Sequence, residues 1–159
     1  MADQKRKVVL GVGNLLQKDE GFGIHAMQAL AAGFSAPEDL EFIDGGVLGL
    51  NLLPLVEDCD YLLVLDAIDA GRPPGTVVEL ARDEIPFFSG VKLSEHQVTF
   101  QDVMGLAHLR GNLPQYLHLI GVQPADLSLG VELSQPVANS LPEVLRRAII
   151  KLNTWGLIG

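Results

Sequence analysis

The sequence predicts an α/β protein of three layers, a mostly parallel twisted sheet with helices on both faces. Three observations predict it. Short continuous apolar runs recur along the chain, the mark of strands buried on both faces. Stretches with apolar residues at helical spacing alternate with those runs, which is how a parallel sheet is built. Glycine, asparagine and aspartate stand where the apolar runs stop, at the carboxyl ends of the strands, the edge at which such sheets gather ligands. The 159 residues read as one domain, 1–159, without repeat, low-complexity tract or linker.

The elements follow in order. "VVLGVG" (Val8 to Gly13) is the first strand. Asp19 is placed to cap a helix in which Ile24, Met27, Ala31 and Phe34 share one face, with Gly33 near its end. "LEFIDGG" (Leu40 to Gly46) is the second strand, and "GLNLLPLVEDC" starts as a helix that Pro54 limits or kinks. "YLLVLDAIDA" (Tyr61 to Ala70) is the third strand, apolar until Asp66. "GRPPG" turns the chain into "TVVEL", and so short a connection suits an antiparallel edge strand. Ser94 and Gln97 have capping-box spacing ahead of a helix lined by Phe100, Val103, Met104 and Ala107. "LHLIGV" is a further buried strand. Ser140 and Glu143 repeat the box before a closing helix with Val144, Leu145, Ala148, Leu152 and Trp155 on its inner stripe.

Composition excludes several classes of function. A formal charge of −9 argues against nucleic acid, whose phosphates need a basic face. Cys59 is the sole cysteine, so no internal disulfide forms and a reducing compartment is expected. The basic N-terminus and its apolar run resemble a signal peptide, but the run stops after about nine residues and charges follow without a cleavage site. Val47 to Val56 is too short to cross a bilayer. A soluble, cytoplasmic protein with no membrane partner is the expectation.

The stretch "GVGNLLQKDEGFGIHAMQAL" (residues 11–30) poses the functional question. It opens like a nucleotide-binding turn, yet Leu16 occupies the place of the third fingerprint glycine, and Asp44 lies farther on than the usual ribose-binding acid. Asp19 and Glu20 would also compete with a phosphate for the amides and dipole of the helix start. No G-x-S-x-G elbow is present, and Ser89 has no partner signalled by spacing. Glu57, Asp58 and Asp60 surround Cys59 and work against a thiolate, which leaves it a core or surface role.

A cation answers better. Glu20 follows the first strand, Asp66 ends the third, and His96 falls in the first turn of a helix, whose positive end keeps an imidazole neutral. If the first and third strands are neighbours, two carboxylates and one imidazole can hold a divalent ion with positions left open. Each residue also has an ordinary reading: Glu20 decorating a helix start, Asp66 capping a turn, His96 a bystander of its capping turn. His25 is expected to face outward, His108 to end a helix and His118 to interrupt a strand, all without a functional role.

In this order, these residues resemble the hydrogenase maturation endopeptidases, which trim the C-terminus of the large subunit of nickel–iron hydrogenases. The matching pieces are "VLGVGNLLQKDEGFGIHAMQAL", "EFIDGGVLGLNLL", "LLVLDAIDAGRPPGTV", "SEHQVTFQDVM" and "LHLIGVQPADLSLGVELSQPV". The resemblance implies that Glu20, Asp66 and His96 are the metal-contacting and catalytic positions, and that Asp44 with Gly45 and Gly46 helps recognise or cleave substrate. Asp69 is not a matched position and reads as a turn residue. The resemblance also implies that nickel arrives inside the large-subunit precursor rather than residing in the protease, with zinc or cadmium able to stand in, and that the protease is a monomer meeting its partner transiently. Whether nickel takes part in the chemistry or is only recognised, with Asp44 or another carboxylate handling the proton, stays open from sequence. So do two other classes, a nucleotide-binding α/β enzyme and a non-catalytic hydrogenase-assembly chaperone.

Overall fold

Five apolar segments pair into one sheet of order β2-β1-β3-β5-β4 in a computed structural model that describes residues 6–46, 49–88 and 100–159. The strands are β1 (Arg6–Val12), β2 (Leu40–Gly46), β3 (Cys59–Ala67), β4 (Val77–Ala81) and β5 (Tyr116–Val122). All neighbours are parallel except β4, which runs antiparallel on the edge beside β5. That is the geometry expected of the short connection before "TVVEL".

The helices are α1 (Phe22–Gly33), α2 (Leu53–Asp58), α3 (Phe100–Leu109) and α4 (Gln135–Thr154). Alternate strand residues face opposite sides of a sheet, and this sorts the core into two clusters. Val8, Leu10, Leu62, Val64 and Leu119 meet α2 and α3 through Val56, Val103, Met104 and Ala107. Val9, Leu63, Leu65 and Ile120 meet α1 and α4 through Ile24, Leu30, Val144 and Leu152. The three-layer architecture follows directly.

Several local expectations change. Pro54 opens α2 instead of limiting it, standing at the first turn where a missing N–H costs nothing. Helix α1 stops at Gly33, and Phe34 is already extended, its ring edge-on to Phe42. Ser140 does not begin the closing helix. That helix starts at Gln135, behind Ser134 and with proline in its first turn, and Ser140 lies inside it. The Ser140 hydroxyl reaches the carbonyls of Gly75 and Pro136, and Glu143 pairs with Arg146 and Arg147 instead of closing a capping box. The Ser94–Gln97 box lies outside the described residues.

Candidate active site at the carboxyl edge of the sheet

The chain leaves β1 towards β2 on one side, while β3 lies on the other, so the strand order reverses between β1 and β3. A crevice opens at such a switch point. The acids predicted from the sequence arrive there from two directions.

Two glycines make the approach possible. Gly13, at φ 136°, turns the chain out of β1, and a Cβ on it would stand 1.9 Å from the Glu20 carbonyl. Asn14 N–H donates to that same carbonyl at 3.1 Å, which folds residues 14–20 back over the strand end. Gly23 lets the first turn of α1 lie directly on the sheet, where a Cβ would stand 2.1 Å from the Leu65 carbonyl and 2.4 Å from that of Val12. The helix start is therefore pressed against the ends of β1 and β3, beside Asp66.

Asp66 is buried as the penultimate residue of β3. Its Oδ1 accepts from Ala67 N–H at 2.8 Å, and the other oxygen takes no hydrogen bond from a described residue. Burial, then the charge of Glu20, raise its pKa well above the ordinary aspartate value, and the Ala67 bond offsets only part of this. Glu20, half-buried, is likewise raised by desolvation. Among the described residues no cation acts on either group. Two carboxylates thus share a low-dielectric edge without a counter-ion among the described residues, an arrangement that disfavours charge on both.

Asp19 behaves differently. It does not cap α1, whose preceding residue is Gly21 and which has no side-chain cap. Its carboxylate, 0% exposed, accepts from Ala125 N–H, Asp126 N–H, Ser134 N–H and Ser134 Oγ at 2.7–2.9 Å. Burial alone would raise Asp19, but these bonds outweigh it and hold the group below the usual value. The acidic pair read together in the sequence is split. Asp19 ties down the segment between β5 and α4, and Glu20 remains at the strand edge.

The other predicted residues fall as follows. Asp44 is exposed near the end of β2, one strand beyond β1 and so on the far side from β3. The end of that strand is tied to the glycine turn by Gly13 N–H donating to the Gly46 carbonyl at 3.1 Å. His96 lies outside the described residues, and among the described residues no three histidine, cysteine or acidic side chains cluster as a metal site. Asp69 is a turn residue, its Oδ1 accepting from Gly71 N–H and Gln123 Nε2. His108 is exposed in the last turn of α3 with its ring edge-on to Phe87. His118 packs in β5 with Nε2 2.8 Å from Glu79. His25 does not face outward. It is half-covered, and its Nε2 is buried without a hydrogen-bond partner among the described residues. Cys59 is buried, its thiol pushed up to about 12 chiefly by desolvation.

Sequence reasoning missed the segment 124–134 as part of this edge. Signals were present. Ser134-Gln135-Pro136 is a helix-start pattern, and Asp126 and Ser128 have the spacing of a local side-chain turn. Ser128 N–H and Oγ both bond Asp126 Oδ1.

Comparison with known proteins adds a common theme. The family model HycI, hydrogenase maturation protease, matches residues 24–151. The hydrogenase expression/formation protein HupD of Rhodobacter capsulatus is 41% identical over 155 residues, covering 96% of this chain and 74% of HupD. The hydrogenase 2 maturation protease of Escherichia coli (strain K12) is 33% identical over 153 residues, covering 96% and 93%. The solved structure of the hydrogenase maturating endopeptidase HybD from E. coli superposes with a TM-score of 0.86 at 34% identity, covering 95% of this chain and 94% of that one.

Proposed function

The chain belongs to the hydrogenase maturation protease family and is a peptidase, and from that premise we propose that it cleaves the C-terminal peptide from a nickel–iron hydrogenase large-subunit precursor once nickel is in place. The observation that carries this reading is the pair Glu20 and Asp66, two carboxylates at one sheet edge with no cation among the described residues acting on them. Such a pair is costly unless a positive ion comes to it. Oxygen donors suit a divalent metal, and an imidazole broadens the set towards nickel and zinc. His96 joins the set on the family resemblance.

In this reading nickel belongs to the substrate. Glu20, Asp66 and His96 engage it and so bring the scissile bond to the crevice, a positioning effect that by itself lowers the barrier. A carboxylate with a raised pKa is suited to take a proton from the attacking water and return it to the leaving amine. Asp44, exposed across β1, contacts the incoming chain and assists recognition or proton transfer.

The test is cleavage of nickel-loaded and nickel-free precursor, followed by mass spectrometry of the released peptide. Release from the nickel-loaded form alone is expected. Equal processing of both forms overturns the metal-reading step, and binding without peptide release in either form overturns the assigned reaction.

A further inference from the structure

The segment between β5 and α4 holds apolar side chains out in solvent alongside residues 16–19, which lead into Glu20. Leu129 is 84% exposed, Val131 63% and Leu16 60%. This exposure is fixed by tethers. Asp19 holds both ends of the segment through Ala125, Asp126 and Ser134. Lys18 reaches Asp126 Oδ2 with its ammonium at 3.0 Å and donates its N–H to the Gly130 carbonyl at 2.9 Å. Gly130 N–H donates to the Leu16 carbonyl at 2.9 Å, closing a parallel bridge between Gln17 and Gly130. That register sets Leu16 beside Leu129. Lys18 adopts φ 44° in the process, a left-handed conformation that a side-chain-bearing residue enters only under constraint.

We propose that Leu16, Leu129 and Val131 form the docking surface for the substrate polypeptide, taking an extended apolar stretch of the large-subunit precursor near its scissile bond. The proposal rests on the peptidase reading above. Three features select this occupant. The patch adjoins the residues that lead into the candidate active site, because Gln17 bridges Gly130, and Lys18 and Asp19, immediately before Glu20, donate their N–H groups to the Gly130 and Asp126 carbonyls at 2.9 and 3.0 Å. The N–H groups of Leu129 and Val131 have no partner among the described residues, so an extended chain can add its carbonyls there. Exposed aliphatic side chains grouped at the rim of a site, on a chain of net charge −9, mark an interaction surface rather than a solvated face.

The test compares wild type with the double variant Leu129→Ser/Val131→Ser in steady-state cleavage of the nickel-loaded precursor encoded by the same genome. KM rises about tenfold and kcat stays within about twofold, the signature of lost ground-state and transition-state binding in equal measure. Leu109→Ser, at an equally exposed leucine ending α3, leaves both constants unchanged. Leu16→Ala is a second, milder variant with a smaller KM rise, and a matching thermal midpoint certifies the fold of each. A wild-type KM in the double variant and in Leu16→Ala overturns the docking surface while leaving the peptidase reading intact. An equal rise in Leu109→Ser also overturns it. A wild-type protein that neither cleaves nor binds the precursor removes the reading beneath it.

Discussion

At the amino edge of the sheet, Arg6 reaches both oxygens of Glu41 at 2.9 and 2.7 Å, and Lys7 reaches Asp39 at 2.7 Å. Nearby, Glu57 accepts from Arg110 and Asn112 at 2.7 and 2.9 Å. At the carboxyl edge, Glu20 and Asp66 lie close enough for one charge to oppose the other, and neither has a basic partner among the described residues. The acids at the first edge are held below the usual carboxylate values by their cations, whereas those at the second are raised. One edge uses opposite charges to complete the fold, and the other leaves like charges together. Fold stability alone gives no reason for the second arrangement, which is the expected signature of a functional site.

The sharpest way to break this comparison is to remove the acids of the carboxyl edge. Asp66→Ala or Glu20→Ala should reduce precursor cleavage by about 10²–10⁴-fold, with circular dichroism unchanged. Turnover near wild type in both would place the site elsewhere.

Asp19 sharpens the contrast from inside the carboxyl edge, since it neighbours Glu20 in sequence but is fully hydrogen-bonded. Asp19→Ala strands the buried donors of Ala125, Asp126 and Ser134, and should cost about 3 kcal/mol in denaturant unfolding. Its pKa is lowered in the folded state, so its contribution is present above the unfolded value of 3.8 and is lost as pH falls through the folded value. The stability gap between wild type and Asp19→Ala therefore narrows only in strong acid.

Asp66→Asn should do the reverse. It keeps an oxygen for Ala67 N–H but removes the buried charge, so the variant melts a few degrees higher at neutral pH while cleavage is lost. Because the folded pKa of Asp66 is raised, the gain shrinks as pH falls below the folded value and is gone once pH drops under the unfolded value of 3.8.

The smallest effect belongs to the other edge. Arg6 and Glu41 are each about a third or more exposed, so solvent screens the pair. Arg6→Ala should change stability by about 0.2–1 kcal/mol, read by the same denaturant series, with cleavage untouched.

The strands were legible because burial on both faces leaves continuous apolar runs such as "YLLVLDA", which few other structures produce. The adjacency of β1 and β3, on which the sequence reading made the meeting of Glu20 and Asp66 depend, is present, and the glycine turn after β1 carries Glu20 back towards Asp66. The division of labour between Asp19 and Glu20 was not. Local sequence offers the same carboxylate twice, and only the return of residues 125–134, more than a hundred positions later, decides which one is consumed by backbone donors. The start of α4 was misplaced for a related reason. Ser140 and Glu143 carry the spacing of a capping box, but their partners come from Gly75 on a distant turn and from arginines on the helix itself. His25 was misread because a helix drawn from its apolar stripe alone does not show what else covers its flank.

The central claim is that Glu20 and Asp66, which have no counter-ion among the described residues, are placed together so that a divalent cation can meet them. Carbon-13 NMR of the two carboxyl groups, titrated with and without cadmium as a surrogate, tests it most directly. Both groups should titrate above the ordinary carboxylate range in the free protein, and cadmium should shift both resonances and lower both midpoints. Ordinary midpoints that cadmium leaves unmoved would contradict the claim.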